Sequence, residues 1–466
     1  MSASLQEETS PRGESIRPIP PGQRTLRTRD LAILWGDLGV GVLVLVAGAL
    51  LVPALGFWTA LAAIVIGSLI GCALLALGAA AGADHGVPTM VLFRPVLGIR
   101  GSWAPTVLNV VQLIGWTAVE LWAMSYVADL VVSRTFDFSA RWLWLILASI
   151  LCTGMAVWGP VGVVRVWMGK FGAWTILAIC GAVTVLALQT DGIGEVLGRE
   201  GSGGLSFGTA LDLVIALPVS WLPLVADYTR FSHSSRAATR GTFWGYLVAN
   251  IWLYSLGALL VLAGGAEPSP GGVAAGILAL AGGSLAGILF LLGLLVGETD
   301  EAFADVYSAA ISLQNIWPRL SQTVALLAVA LISTLLAAWL TMERYESFLF
   351  LIGSVFVPLF GLLAADYFVH RRRKIDVSGL YERNGPYWFG GGIRVASLVP
   401  WIAGFVLYHW ILPTGPAWWT DWISGWATPL SAGAAWLNAS VPSFVLSFVL
   451  TLVLVRRPVS SAGNVK

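Results

Sequence analysis

Apolar runs of roughly 17 to 25 residues, each long enough to cross a bilayer as a helix, recur along the whole chain. Twelve spans are predicted, at about 31 to 54, 57 to 82, 104 to 132, 142 to 159, 168 to 189, 208 to 228, 242 to 264, 282 to 315, 321 to 340, 346 to 370, 393 to 412 and 438 to 455. The fold class that follows is an all-α polytopic membrane protein. Residues 1 to 29 are polar, contain Pro11, Pro18, Pro20 and Pro21, and lack the apolar core of a signal peptide, which predicts a flexible cytoplasmic tail. Residues 457 to 466 make a second cytoplasmic tail.

Two spans are interrupted. Span 1 has Gly36, Gly39 and Gly41 beside Asp37, and span 6 has Pro218 and Pro223 bracketing Val219, Ser220, Trp221 and Leu222. Glycine and proline weaken or remove helical hydrogen bonds, and the freed backbone groups are tolerated at membrane depth only inside protein or along a cavity. Interrupted spans in corresponding positions of two halves point to a transporter binding site. The separation of five spans predicts an inverted repeat, 30 to 190 (spans 1 to 5) against 208 to 370 (spans 6 to 10). Residues 371 to 456 add a basic loop and spans 11 and 12.

Under that repeat span 3 corresponds to span 8. Gln112, Trp116 and Glu120 recur every four residues of span 3 and share a helical face. Span 8 carries Glu298, Asp300, Glu301 and Asp305. An acidic side chain in hydrocarbon costs at least ~2.5 kcal/mol, so these groups require water, a cation or a polar substrate beside them. Glu301 and Asp305 share a face, whereas Glu298 and Asp300 cannot point the same way, so the four acids do not all serve one site. For Glu298 and Glu301, facing an aqueous vestibule is an equal alternative.

Composition agrees with lipid as the solvent: 57% of residues are hydrophobic and 11% charged, against about 25% charged in a soluble domain. A net charge of +1 gives no reason to expect nucleic-acid binding. Cys72, Cys152 and Cys180 lie in apolar runs without metal-ligand spacing, and His85, His233, His370 and His409 share no helical face. With the N-terminus inside, 22 of the 26 Lys/Arg fall in inner segments and only Arg134, Arg141, Arg199 and Arg344 in outer loops. That split predicts a cytoplasmic-membrane protein with both termini in the cytoplasm. Arg371, Arg372, Arg373 and Lys374 are expected to anchor topology, and the Asn438 sequon is expected to be incidental.

Three segments carry a family resemblance: 108 to 119 (Leu108-Asn109-Val110-Val111-Gln112-Leu113-Ile114-Gly115-Trp116-Thr117-Ala118-Val119), 220 to 230 (Ser220-Trp221-Leu222-Pro223-Leu224-Val225-Ala226-Asp227-Tyr228-Thr229-Arg230) and Asp305-Val306-Tyr307-Ser308. Tyr345-Glu346 and Ala365-Asp366-Tyr367 in span 10 add to them. The chain resembles the nucleobase:cation symporter family 1 over nearly all its spans, most of all the hydroxymethylpyrimidine transporters close to cytosine permeases. The resemblance implies a LeuT-like fold of five plus five spans, alternating access and coupling to Na+ or H+, with no other cofactor. It places Trp116 as a stacking platform, Glu120 and Asp305 on the ring, and a cation at Thr299 and Asp300. Asp300 departs from the family's hydroxyl at that place. The family's second stacking Trp lies about nine residues before its Asp-aromatic-x-Arg motif, whereas Trp221 lies six before Asp227, so ring platform and packing group both stand for Trp221.

The expected substrate site is therefore Trp116, Glu120, Gln112, Asp305, Ser220, Trp221 and Gly39. The expected cation site is Gly36, Asp37, Val296, Thr299 and Asp300. Asp227 and Arg230 are expected to form a gate, Asp366 a surface ion pair. A carboxyl group suits an aminopyrimidine edge, because it accepts from the exocyclic NH2 and, when protonated, donates to the ring nitrogen. These residues predict a secondary transporter, not an enzyme, importing hydroxymethylpyrimidine or cytosine, with lipid as its only other obligate contact. An amino acid or amine transporter of the same architecture is the alternative, although Glu120 and Asp305 would repel a substrate carboxylate. An intramembrane hydrolase using Asp300 and Asp305 is disfavoured by the absence of a Ser/His pair or metal-ligand spacing.

Overall fold

The computed structural model describes residues 16–159, 173–340 and 345–455. Among these no β-strand longer than an isolated bridge occurs. The helices follow the predicted spans: Thr28–Asp37 with Val42–Ala49 (span 1), Phe57–His85 (2), Trp103–Phe136 (3), Arg141–Trp158 (4), Ala173–Leu188 (5) and Phe207–Ser220 continued by Val225–Thr229 (6). Then come Ser235–Gly264 (7), Leu285–Ile316 (8), Gln322–Trp339 (9), Tyr345–Ala364 (10), Leu398–Ile411 (11) and Ser440–Leu454 (12). Among the described residues seven spans, span 6 included as the continuous run Phe207–Thr229, are long and apolar enough to cross a membrane, and the two halves of span 1 together make an eighth.

Local chemistry fixes where they begin and end. Ser206 and Ser234 accept from Thr209 N at 3.0 Å and Ala237 N at 3.2 Å, capping spans 6 and 7. Asp212, buried in span 6, accepts from Ala439 N at 2.6 Å and Ser440 N at 2.9 Å and thereby holds the start of span 12. Asn438 accepts from Val441 N at 2.9 Å in the same turn. Gly86, with φ of 70°, closes span 2 in the left-handed conformation.

Spans 3 and 8 pack along their lengths, and span 7 packs on spans 1 and 2. Close backbone approach explains the pairing of spans 1 and 7: a Cβ on Gly48 would lie 2.1 Å from Tyr254 O, and one on Gly257 would lie 2.0 Å from Leu45 O. Among the described residues two helices of ten residues or more lie outside the predicted spans. Pro270–Leu280, between spans 7 and 8, and Ala417–Trp426, between spans 11 and 12, are too short to cross a bilayer.

The Pro-rich start is not a loose tail where it is described. Ile16, Ile19 and Leu26 are buried. Ile19 N donates to Gly86 O at 2.8 Å and Leu26 N to Phe231 O at 2.9 Å. Arg24 reaches the carbonyls of Ala83, Asp84 and His85. The last carbonyls of span 2 lack helical partners, and this guanidinium supplies them. The same basic end of the bundle holds Arg373, bidentate on Asp84 at 2.8 and 2.9 Å. Asp366 is not on the surface: 1% exposed, it meets Arg371 at 2.5 Å and Arg394 at 3.5 Å. The basic run 371–374 thus ties helix ends together.

Candidate functional site

The two breaks are built differently. In span 6, Pro218 lies inside the first helix and Pro223 inside a 3-10 turn, Leu222–Leu224, which carries the chain into Val225–Thr229. The freed carbonyls find amides on span 3. Gln112 Nε2 donates to Ser220 O at 3.1 Å and to Asn109 Oδ1 at 2.9 Å. Asn109 Nδ2 in turn reaches Pro223 O at 3.5 Å and Ser312 Oγ of span 8 at 2.9 Å. Gln112 is thereby placed as a tie between spans 3 and 6.

In span 1 the halves meet at 61° across Leu38 to Gly41. Here span 8 supplies carboxylates. Glu298 accepts from Val42 N at 2.7 Å, a carboxyl cap on the second half-helix. Glu301 lies against Gly41, where a Cβ would sit 2.4 Å from Glu301 Oε1. Asp37 and Asp300 face each other, 3% and 1% exposed, and apart from one another neither carboxyl has a hydrogen-bond partner among the described residues. Thr299 Oγ1, on the same turn as Asp300, donates to Val296 O at 2.6 Å. Asp37 and Gly36 also line a cleft of about 430 Å³ with Arg29, Val40, Trp244 and Trp252.

Between the breaks lies a small closed cleft lined by Trp116 and Glu120 of span 3, Ser220 and Trp221 of span 6, Tyr246 of span 7, and Glu301 and Asp305 of span 8. Its volume of about 10 Å³ is roughly the space of one water. Trp116 is held edge-on by Tyr345 at 6.1 Å and Phe348 at 5.3 Å. Trp221 is held by Trp35 at 5.9 Å, so it is both a packing group and a wall of the cleft. The Glu120 and Asp305 carboxyls face each other across the cleft.

The fold thus brings Trp116, Glu120, Ser220, Trp221 and Asp305 together. Gly39 lies elsewhere, against Ala249 of span 7. Asp227 and Arg230 are fully buried: Asp227 Oδ1 accepts from Thr89 N at 3.0 Å, and Arg230 Nη2 donates to the Tyr307 hydroxyl at 3.0 Å. They lock the end of span 6 to the loop after span 2 and to span 8. Tyr246 was not anticipated, because nothing in its own span marks it. Glu301 had a signal, its four-residue spacing from Asp305.

Residues 18–436 match the permeases for cytosine/purines, uracil, thiamine and allantoin. The chain belongs to that family. Relatives within reach include the hydantoin permease of Microbacterium maritypicum, 25% identical over 85% of this chain and 84% of its own. The cytosine permease of Escherichia coli K12 is 27% identical over 63% of this chain and 66% of its own. Among solved structures, Mhp1, a nucleobase-cation-symport-1 family transporter in a closed conformation with bromovinylhydantoin bound, superposes with a TM-score of 0.80 at 21% identity, covering 94% of both chains. A Na+-coupled sialic acid symporter superposes at 0.62 and 13% identity, covering 93% of this chain and 89% of its own. Membership in the permease family makes this an integral membrane transporter, not an enzyme. The Mhp1 likeness shows the fold, the LeuT-like pair of five-span repeats followed by two further spans.

Proposed function

We propose that this permease imports a planar aminopyrimidine, hydroxymethylpyrimidine first and cytosine second, by cation-coupled alternating access across the cytoplasmic membrane. The observation that carries the proposal is the convergence of Trp116, Glu120 and Asp305, from the two symmetry-related spans 3 and 8, on one cleft between the broken spans. Trp116 offers a flat face, and stacking on it contributes about 1 to 3 kcal/mol while tolerating changes of substituent. Discrimination then falls to Glu120 and Asp305, whose acceptors match an N–H edge. A hydroxymethyl group would give Asp305 or Ser220 a further partner. Family membership supports a nucleobase-like ring. Hydantoin, the substrate named for one relative, presents carbonyls to these carboxyls and should bind less well here.

The closed cleft is too small for a ring, so the halves around it must separate for entry and release. Coupling is assigned to Asp37 and Asp300 with Thr299 and the carbonyl of Val296, because unwound backbone beside half-helix ends is where transporters of this fold hold ions. Sodium or protons would serve such a site.

Uptake of radiolabelled hydroxymethylpyrimidine into proteoliposomes tests the proposal. Hydroxymethylpyrimidine and cytosine should compete far better than uracil or hydantoin, by up to roughly 10⁴-fold where a buried polar match is lost. Glu120→Ala should abolish uptake in protein that still elutes as a folded species, and Glu120→Gln should leave weak, altered selectivity. Equal competition by uracil would overturn the ring-edge assignment. Reporter fusions before residue 1 and after Lys466 should both report cytoplasm, and an outside signal from either would overturn the orientation.

A further inference from the structure

We infer that Tyr246 and Glu301 are additional ring-contacting residues and that the cleft selects a heterocycle carrying net positive charge on an amidinium-type N–H edge. This rests on the ring-transport proposal above and narrows its substrate class to rings that carry a proton when bound, which leaves cytosine, neutral near pH 7, the weaker of the two substrates named there. Three carboxyls, from Glu120, Glu301 and Asp305, line the cleft, and among the described residues no Arg, Lys or His does. These carboxyls and their neighbours keep unmet hydrogen-bonding capacity. Among the described residues Glu120 Oε2 and Glu301 Oε1, the latter beside Gly41, accept from no donor, while the Trp116 indole N–H and the Tyr246 hydroxyl donate to no acceptor, and all four side chains are buried.

The balance of these groups defines the ligand. Carboxyl acceptors outnumber the two donors, so a fitting ring offers more N–H than C=O. Three carboxyls crowded at low dielectric repel one another unless protons or a positive ligand relieve them. An amidinium edge does so directly, giving one N–H to Glu120 and another to Asp305 or Glu301, where the Glu120 and Asp305 carboxyls now face each other. Tyr246 then recognises a single acceptor on the ring or its substituent. Its position is firm, because its ring is held edge-on by Trp35 at 6.4 Å.

Glu301 also joins the cleft to the break. It sits against Gly41, next in sequence to Asp300, so a positive ring drawn onto Glu301 pulls on the bend of span 1. A neutral ring would lack that attraction.

The test compares two rings of nearly equal shape and the same N–C–NH2 edge as competitors of radiolabelled hydroxymethylpyrimidine in proteoliposomes at about pH 6. 2-Aminopyridine is mostly protonated there and presents an amidinium edge, whereas 2-aminopyrimidine is neutral. Wild-type protein should favour 2-aminopyridine by about tenfold or more, the scale of one charge-assisted hydrogen bond. Glu301→Gln should shrink the preference to within about threefold, and Glu301→Asp should keep most of it. Tyr246→Phe should weaken hydroxymethylpyrimidine, which carries an acceptor, and leave 2-aminopyridine unchanged. Equal competition by the two rings in wild type, or an unchanged preference in Glu301→Gln, overturns the inference while leaving ring transport intact. Failure of every ring to be taken up or to compete overturns both. The wild-type comparison needs no variant, so a Glu301 substitution that fails to fold does not remove the test.

Discussion

The breaks in spans 1 and 6 occupy equivalent places in the two repeats, yet they meet opposite partners. Both interrupt a helix at membrane depth and both free backbone groups. Span 6 frees carbonyls, and these are met by the amides of Gln112 and Asn109, so its axis continues through a 3-10 turn. Span 1 bends by 61° and is met by acids. Glu298 takes an amide of the second half-helix, and Asp37, Asp300 and Glu301 are left with oxygens that no donor satisfies. A break answered by amides is a joint whose freed carbonyls are already paired. A break answered by carboxylates retains binding capacity, and it is the side of the site where a cation or a positive substrate gains most.

The contrast is broken most directly at Asp300. Asp300→Asn should lower uptake on the order of a hundredfold, since about 3 kcal/mol follows from removing one charged partner at a buried site. Its dependence on the ion gradient should fall in parallel. Gradient-driven uptake measured with sodium and with protons varied separately would show both. If the variant keeps full ion dependence, the ion sits elsewhere and the carboxyls of span 1 are structural.

Gly41→Ala sharpens the same point with a smaller effect. The new Cβ would meet Glu301 Oε1 at 2.4 Å and Glu298 Oε2 at 3.2 Å. Both are ends of flexible side chains, so the fold should persist while the carboxylates are displaced by up to an ångström. A displacement of that size at a binding site costs up to about a hundredfold, and about tenfold is expected here because Glu301 can swing. Thermal unfolding in detergent should change little. A large loss of stability with unchanged uptake would mean that Glu301 is a packing group.

Much of this was legible in the chain, and the limits have physical causes. Glycine and proline mark breaks wherever they occur, so both interrupted spans were visible, as was their five-span separation. Partners were not visible, because they lie well outside the local pattern: nothing near Pro218 points to Gln112, about a hundred residues away, and nothing near Asp366 points to Arg394, beyond the next loop. Helical spacing placed Gln112, Trp116 and Glu120 on one face, but four residues advance an α-helix by about 400°, so each step drifts some 40°. Over eight residues that drift separates Gln112 from Glu120, and it is Gln112 that leaves the cleft for the span 6 carbonyls. Tyr246 had no signal at all, since its span has neither a break nor an acid. The Pro-rich segment from Ile16 onward was read from its polarity, whereas its order comes from the unpaired helix-end carbonyls it covers.

The smallest effect belongs to the satisfied break, and it decides what Gln112 does. Gln112→Ala removes the donor from Ser220 O and from Asn109 Oδ1. A buried carbonyl left unpaired costs about 1 to 3 kcal/mol, so the variant should unfold at lower temperature. Its substrate ranking should stay as in wild type, and uptake by the folded fraction should fall no more than about threefold, because the amide faces the joint and the ring faces Glu120. Measuring competition by hydroxymethylpyrimidine, cytosine and uracil beside the unfolding temperature separates the two roles. If the ranking changes while stability does not, Gln112 touches the ring, the amides of span 3 are not spent, and the two breaks are alike after all.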